Sequence, residues 1–129
     1  MSQQGEHIER GYLGTEDLTG KRYHFMKADT SAENKALLNN TSGGQVLGTL
    51  HEDPGDLSTT NEDVIIDVSG FIKVKLGNTV DEGDRIMSDG SAQGIKATAT
   101  KYFAGIAMAA GVANDVIEVD ANKNGFEPA

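Results

Sequence analysis

The sequence predicts an all-β fold, either a small β-barrel or a β-sandwich, with short strands and an extended N-terminal arm. Short β-branched or alternating runs are separated by turn residues at regular intervals, which is typical of small all-β domains. Sixteen glycines against two prolines, no tryptophan and 5% aromatic residues indicate many tight turns around a core of small side chains. A length of 129 residues allows one domain with a single modest core.

Residues 1–20 are predicted to be the N-terminal arm. They are polar and rich in glycine, and their few sizeable apolar residues bury too little area to fold alone. Two interpretations stay open: a frayed terminus, or an arm that becomes ordered only on a partner chain, with Tyr12, Leu13 and Leu18 as its contacts. Residues 21–120 then form a single β domain, and residues 121–129 form a polar C-terminal tail.

The first half of the β domain contains two predicted strands, at residues 22–27 (RYHFMK) and 45–50 (QVLGTL). Between them, residues 29–39 are predicted to be a loop or a short helical turn, because the segment is short and has no capping box. Residues 40–44 (NTSGG) are a turn. The polar, acidic segment 51–62 is predicted to be a loop.

The central stretch, residues 63–97, is the part around which the chain is organised. A β-branched strand at residues 64–68 is predicted to end in a turn at Ser69-Gly70. Residues 72–76 then alternate between apolar and basic side chains, as in a half-buried strand. The remaining predicted turns lie at 82–83 and 88–91. A short strand is predicted to end at residue 87, and further strands are predicted at 94–100, 101–110 and 116–120.

The run at residues 101–110 (KYFAGIAMAA) is the most apolar one and is rich in alanine, which is also compatible with a helix. Gly105 in its middle and Gly111 after its end favour a buried strand.

Two parts of the chain resemble each other. VLGTL at 46–50 followed by DVIIDV at 63–68 is similar to FAGIA at 103–107 followed by DVIEV at 115–119. Glycine inside a strand is typical of a bulge or a close backbone approach. The repetition predicts two related hairpins that close one small barrel or sandwich, and chance similarity of short β segments is the alternative.

Composition narrows the classes of function. Eleven basic against 20 acidic residues give a net charge of −9, which disfavours binding to nucleic acid. The excess of acidic residues either keeps the protein soluble or forms an acidic face that docks on a basic partner surface. The chain has no cysteine and no apolar run of 18 residues, so we expect no disulfide and no membrane-spanning helix. The lack of cysteine fits an intracellular origin. The first residues lack the basic start and apolar centre of a secretory signal.

A calcium loop is the sharpest motif match. Residues 120–125 (DANKNG) fit its first six positions, but the glutamate required at the twelfth position is missing and Pro128 lies inside the would-be loop. We therefore predict a turn rich in asparagine and glycine.

Other reactive clusters are equally incomplete. His51, Glu52 and Asp53 are adjacent, yet no second histidine lies at a metal-ligand spacing, and an acidic loop explains them. There is no nucleophile elbow and no phosphate-binding loop. The sequence therefore predicts no catalytic residue, no cofactor and no metal site, and the protein is not expected to be an enzyme.

The order of the β segments resembles a known family. The segments that carry the resemblance are GTL at 48–50, VIIDVSGFIKV at 64–74, VDEGDRI at 80–86, SDG at 88–90, FAGIA at 103–107 and DVIEV at 115–119. In this order and spacing, which covers about residues 45–120, the chain resembles the capsid cement (head decoration) proteins of tailed bacteriophages.

The resemblance implies a structural protein of the virion. Such a protein binds the outer surface of the mature phage head, contacts the major capsid protein, bridges capsomers and commonly forms a homotrimer. It has no membrane, nucleic-acid or small-molecule partner and no cofactor. The alternative is a small β binding module for carbohydrate, with Tyr12 or Tyr102 stacking on sugar rings, and a third interpretation is an enzymatic or regulatory fragment of a larger assembly.

Overall fold

The computed structural model describes residues 7–14, 18, 20–30, 33–51 and 62–128. Within these residues the backbone forms eleven strands and one 3-10 turn. No helix in the described part of the chain has the length and apolar character to cross a membrane. The elements are β1 (His7–Gly14), β2 (Phe25–Ala28), β3 (Lys35–Leu38), β4 (Gly48–Leu50), β5 (Glu62–Lys75), β6 (Arg85–Ser88), β7 (Gly94–Lys96), β8 (Tyr102–Phe103), β9 (Gly105–Ala107), β10 (Val116–Asp120), the 3-10 turn Ala121–Lys123 and β11 (Gly125–Phe126). The prediction of an all-β fold is confirmed.

Five strands close into a barrel in the order β1-β3-β2-β4-β5, because β1 pairs with β3 in parallel and with β5 in antiparallel orientation. Closure removes the free edges that an open sheet of this size would expose. The barrel interior is filled by a cluster of buried apolar side chains: Tyr12, Leu18, Met26, Ala36, Leu50, Val64 and Ile66.

The predicted N-terminal arm differs from the structure over β1. His7–Gly14 is a strand of the main sheet, and the side chains of Tyr12 and Leu18 lie in the barrel core, whereas Leu13 is half-buried. Tyr12 pairs across the sheet with Val64. The segment is too polar to fold alone, but it pairs along its whole length with β5 and at its end with β3. The rest of the predicted arm, at residues 1–6, 15–17 and 19, lies outside the described residues.

Strand β5 runs through the predicted Ser69-Gly70 turn, so that prediction is wrong. Gly70 has a φ of +85°, and the register of β5 against β1 shifts next to it, between Ile8 and Glu9. The glycine and the bulge bend the 14-residue strand without reversing it. Its first part pairs with β1 and β4, and its last part pairs with β10.

A second layer of strands extends from β5 in the order β5-β10-β9-β6-β7. Its buried face contains a second core, which consists of Phe25, Ile72, Val74, Leu76, Val80, Ile86, Ala104, Ala107, Ile117, Val119 and Ala121. Neighbouring residues on one strand point to opposite faces, so Phe25 belongs to this core while Met26 belongs to the barrel core.

Long-range pairing changes four further predictions. The predicted loop or helical turn at 29–39 contains β3, which pairs with β2 and β1. The run at 101–110 is not helical, but it divides into two short strands, β8 and β9, and the predicted strand at 94–100 is limited to Gly94–Lys96. The predicted polar tail contains the 3-10 turn and β11, which pairs with β8. Residues 52–61 of the predicted acidic loop lie outside the described part of the chain.

The two similar segments each form an antiparallel pair, β4 with β5 and β9 with β10. Both pairs belong to the nine-stranded sheet, but β4 lies in the five-strand barrel and β9 and β10 lie in the second layer, so the two pairs do not close one barrel together. The equivalence is nevertheless close. A Cβ atom on Gly48 would overlap the carbonyl oxygen of Asp67, and one on Gly105 would overlap the carbonyl oxygen of Asp120. Both glycines therefore mark close backbone approaches, as predicted.

We expect Gly48→Ala and Gly105→Ala to destabilise the fold by at least about 2 kcal/mol each, because the new methyl group must displace backbone atoms. Gly11→Ala is the matched control: it also lies in a strand, but nothing is within 4 Å of its Cβ position, so we expect a change within about 0.5 kcal/mol. Urea unfolding of the three variants measures this difference. Equal stabilities for all three would show that the close approaches do not matter.

Candidate binding surface

Two aromatic side chains lie exposed next to each other on the short ribbon formed by β8 and β11. Tyr102 and Phe126 occupy directly opposite positions of the ribbon, and their ring centroids are 4.8 Å apart in an edge-to-face arrangement. They are 41% and 49% exposed. Exposed aromatic residues of this kind are enriched at the contact surfaces of proteins. We call Tyr102 and Phe126 the aromatic pair.

The aromatic pair borders a cavity of about 320 Å³. The cavity lies where the barrel meets the second layer, since its walls come from the segment before β4, from the bend of β5 and from the β8–β11 ribbon. Its lining residues are Gln45, Val46, Leu47, Gly48, Val68, Ile72, Tyr102, Phe103, Ala104, Ala121, Asn124, Gly125 and Phe126. The lining therefore combines apolar side chains with the amide side chains of Gln45 and Asn124.

The ribbon is fixed to the rest of the protein by Arg85. The Arg85 guanidinium forms a 2.6 Å ion pair with Glu127 and lies over the ring of Phe103, 5.2 Å from its centroid. Glu127 also forms two backbone hydrogen bonds: its amide donates to Lys101, and its carbonyl accepts from Thr100. These contacts hold the aromatic pair in place on a short two-stranded element.

The residues that match the calcium motif form side-chain hydrogen bonds with the backbone of the same region. The side chain of Asp120 accepts a hydrogen bond from the amide of Asn122, and the Asn122 side-chain oxygen accepts one from the amide of Gly70. Asn124 donates its side-chain amide to the carbonyl of Ala121. The motif thus forms a capped 3-10 turn that leads into β11.

Other exposed apolar side chains lie at the opposite end of β10. Met108 and Val112 belong to the connection between β9 and β10, and Val116 begins β10. Ile8 on β1 is exposed as well. We call Met108, Val112 and Val116 the β9–β10 set. It is the main alternative to the aromatic pair as a contact surface.

Three titratable side chains from three strands of the barrel converge outside its core. The Nδ1 atom of His51, which directly follows β4, lies 3.0 and 3.1 Å from the carboxylate oxygens of Asp67 and 3.5 Å from an oxygen of Glu9. Glu9 on β1 and Asp67 on β5 are directly opposite each other in the sheet. Asp67 is 4% exposed, whereas Glu9 and His51 are accessible.

A second cavity, of about 350 Å³, adjoins this polar cluster. The Nε atom of Arg22 donates a hydrogen bond to the carbonyl of His51 over 3.4 Å, and the guanidinium of Arg22 lies 4.5 Å from the ring centroid of Tyr23. The lining residues are Arg22, Tyr23, His51, Asp67, Phe71, Lys73 and Glu118. The cavity therefore presents both acidic and basic groups.

Of the three predicted partner contacts, Tyr12 and Leu18 lie in the barrel core and Leu13 is half-buried. Tyr12 and Leu18 are enclosed by the barrel, so their side chains are not presented to a partner in this conformation. Their role in partner binding stays a prediction. Sequence reasoning named Tyr102 only for carbohydrate binding and did not single out Phe126 or the cluster of Glu9, His51 and Asp67. The exposure of an aromatic residue and the convergence of distant strands have no local signal.

The surroundings of His24 lower the pKa of its imidazole below the ordinary value. Burial lowers its pKa, the hydrogen bond from its Nδ1 to the carbonyl of Arg22 opposes the shift, and Lys21 and Lys75 lower the pKa further. Its Nε2 lies 3.4 Å from the side-chain amide of Gln93, which suits a neutral ring that accepts there.

We expect His24 to make the fold less stable below about pH 6.5. The unfolded state takes up a proton at that ordinary pKa, while the folded state resists it, so stability present above pH 6.5 is lost as the pH falls through the lower folded pKa. Urea unfolding of the wild type and of His24→Gln between pH 8 and about 5 measures this effect. The free-energy difference between the two proteins should shift against the wild type on acidification, and a constant difference would contradict the assignment.

No protein-family model matches the sequence, and no curated protein matches it. Among solved structures, the fold is similar to the N base of the head fiber gp8.5 of bacteriophage phi29, with a TM-score of 0.60 and 8% sequence identity. The likeness covers 88% of this chain and 92% of that chain. At this identity the likeness shows a common fold.

Proposed function

We propose that this protein is a structural component of a bacteriophage head. The observation that carries the proposal is the fold, which is shared over nearly the whole length of a chain that forms the base of a phage head fiber. The order of β segments in the sequence, which resembles phage head decoration proteins, supports the same conclusion independently. No catalysed reaction is part of the proposal.

In its finer form, the proposal is a capsid cement protein on the outer surface of the virion. It binds the major capsid protein, bridges capsomers, stabilises the mature shell and acts as a homotrimer. A protein that binds only the mature shell stabilises that state by mass action, and many copies add to a large effect. A net charge of −9 suits a position outside the shell, since such a protein does not compete for the packaged DNA.

We assign the aromatic pair as the capsid contact, in place of Tyr12 and Leu18. A contact residue has to be accessible before binding, and Tyr102 and Phe126 are accessible while the barrel encloses the other two. Aromatic residues at the centre of an interface often contribute most of its binding energy. The cavity behind the pair offers room for one apolar side chain of the partner.

The first test combines the native mass of the protein with co-sedimentation on phage shells. We expect a trimer by light scattering, either in solution or on the shell, that sediments with mature, expanded capsids and stays in the supernatant with precursor shells. Deleting residues 1–20 is a poor test of the capsid contact, because it also removes β1 and opens the barrel. A monomer that binds neither type of shell would contradict the cement proposal.

The second test separates the two candidate surfaces. We expect Tyr102→Ala with Phe126→Ala to weaken capsid binding by at least about thirtyfold, which corresponds to roughly 2 kcal/mol. Met108→Ala with Val112→Ala is the matched control, since it removes apolar side chains of similar exposure from the β9–β10 set. Binding isotherms on mature shells measure both. If only the control variant loses binding, the contact lies on the β9–β10 set.

The aromatic pair also supports a second candidate function, carbohydrate binding. Sugar rings stack on exposed aromatic faces, and the amide groups of Gln45 and Asn124 line the cavity beside them. Glycan-array binding that is lost in Tyr102→Ala, together with no affinity for shells, would favour this function over the first. Tyr12→Ala is uninformative here, because Tyr12 is buried.

A further inference from the structure

We propose that Glu9, His51 and Asp67 bind one divalent transition-metal ion of the zinc type. The site is independent of the capsid proposal, since it lies on the barrel and shares no residue with the aromatic pair. Each of the three side chains contributes one ligand atom, and these atoms all lie within 4.8 Å of one another.

The separations between the ligand atoms suit a shared ion. Zinc is bound at roughly 2.0–2.2 Å by nitrogen and carboxylate oxygen, so neighbouring ligand atoms around it lie roughly 3–3.5 Å apart. The Nδ1 atom of His51 is 3.0 Å from Asp67 and 3.5 Å from Glu9. Both separations fall within the range expected around one zinc ion.

The positions of the charged atoms around His51 are a further argument for an ion. The same nitrogen of His51 faces both carboxylates, and a neutral ring has at most one hydrogen to offer there. Glu9 and Asp67 also stand directly opposite each other on antiparallel strands, where like charges repel. A divalent ion between them would offset the repulsion of the two carboxylates and accept the nitrogen lone pair.

An orphaned hydroxyl next to the cluster is a separate indication. Thr49 is directly opposite Asp67 and two residues before His51, so its side chain lies on the same face of the sheet. Its Oγ1 is fully buried and has no hydrogen-bond partner among the described residues. Buried hydroxyl groups rarely stay unpaired. A water molecule bound to the ion on this face of the sheet would give Thr49 a partner.

The donor set selects the kind of ion. One imidazole nitrogen with two carboxylates suits zinc and related first-row divalent ions. Calcium and magnesium prefer ligand sets made of oxygen alone, and we expect both to bind more weakly.

The ion would join three strands of the barrel. Glu9 lies on β1, His51 directly follows β4 and Asp67 lies on β5, and β1 is the strand that closes the ring. Because a metal ion that binds only the folded state stabilises it, occupancy should raise the stability of the closed barrel.

Isothermal titration of the untagged, chelator-treated protein with zinc chloride tests the site. We expect one equivalent per chain with a dissociation constant below about 10 μM, together with a rise in the melting temperature, and little response to calcium or magnesium. Glu9→Gln should weaken zinc binding at least about tenfold. His51→Asn should remove it, although an asparagine amide can still donate a hydrogen bond to Asp67.

Glu118→Gln is the matched control, because it makes the same change at a carboxylate that lines the adjoining cavity outside the cluster. It should bind zinc like the wild type. Circular dichroism shows whether each variant is folded, and Glu9 is exposed enough that its variant should fold normally. If the wild type does not bind zinc at millimolar concentration, or if Glu9→Gln and His51→Asn bind it as well as the wild type does, the proposal is wrong.

Discussion

The whole architecture depends on β5 remaining one strand through Gly70. Before the glycine, β5 pairs with β1 and β4 and completes the barrel; after it, β5 pairs with β10 and begins the second layer. A φ of +85° is rarely adopted by residues with a side chain, so the bend requires glycine. Because the strand bends without reversing, Ile66 packs in the barrel core and Ile72 packs in the second core.

The bend also positions the candidate surface. Val68 and Ile72 flank Gly70 and form part of the cavity behind the aromatic pair, while the amide of Gly70 is held by the side chain of Asn122. The segment from Asp120 to Phe126 therefore docks against the junction of the two layers. A rigid junction allows two exposed aromatic residues to keep a defined arrangement on a ribbon of only two short strands.

Local patterns predicted the elements whose signal is local. The strand at 116–120 and the central segments are β-branched or alternating, and the glycines at 48 and 105 correctly indicated close backbone approaches. Strands β1 and β3 were not predicted, because their sequences, HIERGYLG and KALL, have little strand character of their own. Their pairing with β5 and β2 decides their conformation, and no single segment contains that information. The same holds for the polar cluster, whose three residues meet only after the barrel closes.

The structure places Tyr12 and Leu18, which we predicted from the sequence as partner contacts, in the barrel core. Tyr12 and Leu18 stood out because they are apolar residues in a polar segment, but this is also the pattern of a strand that closes a barrel with one face inward. Burial then separates the two roles. Residues near β1 serve closure, and the polar cluster links β1 to its neighbours on the outer face, whereas the aromatic pair lies on the ribbon beyond the bend. The exposed aromatic pair can therefore be substituted without changing the packing of the barrel core.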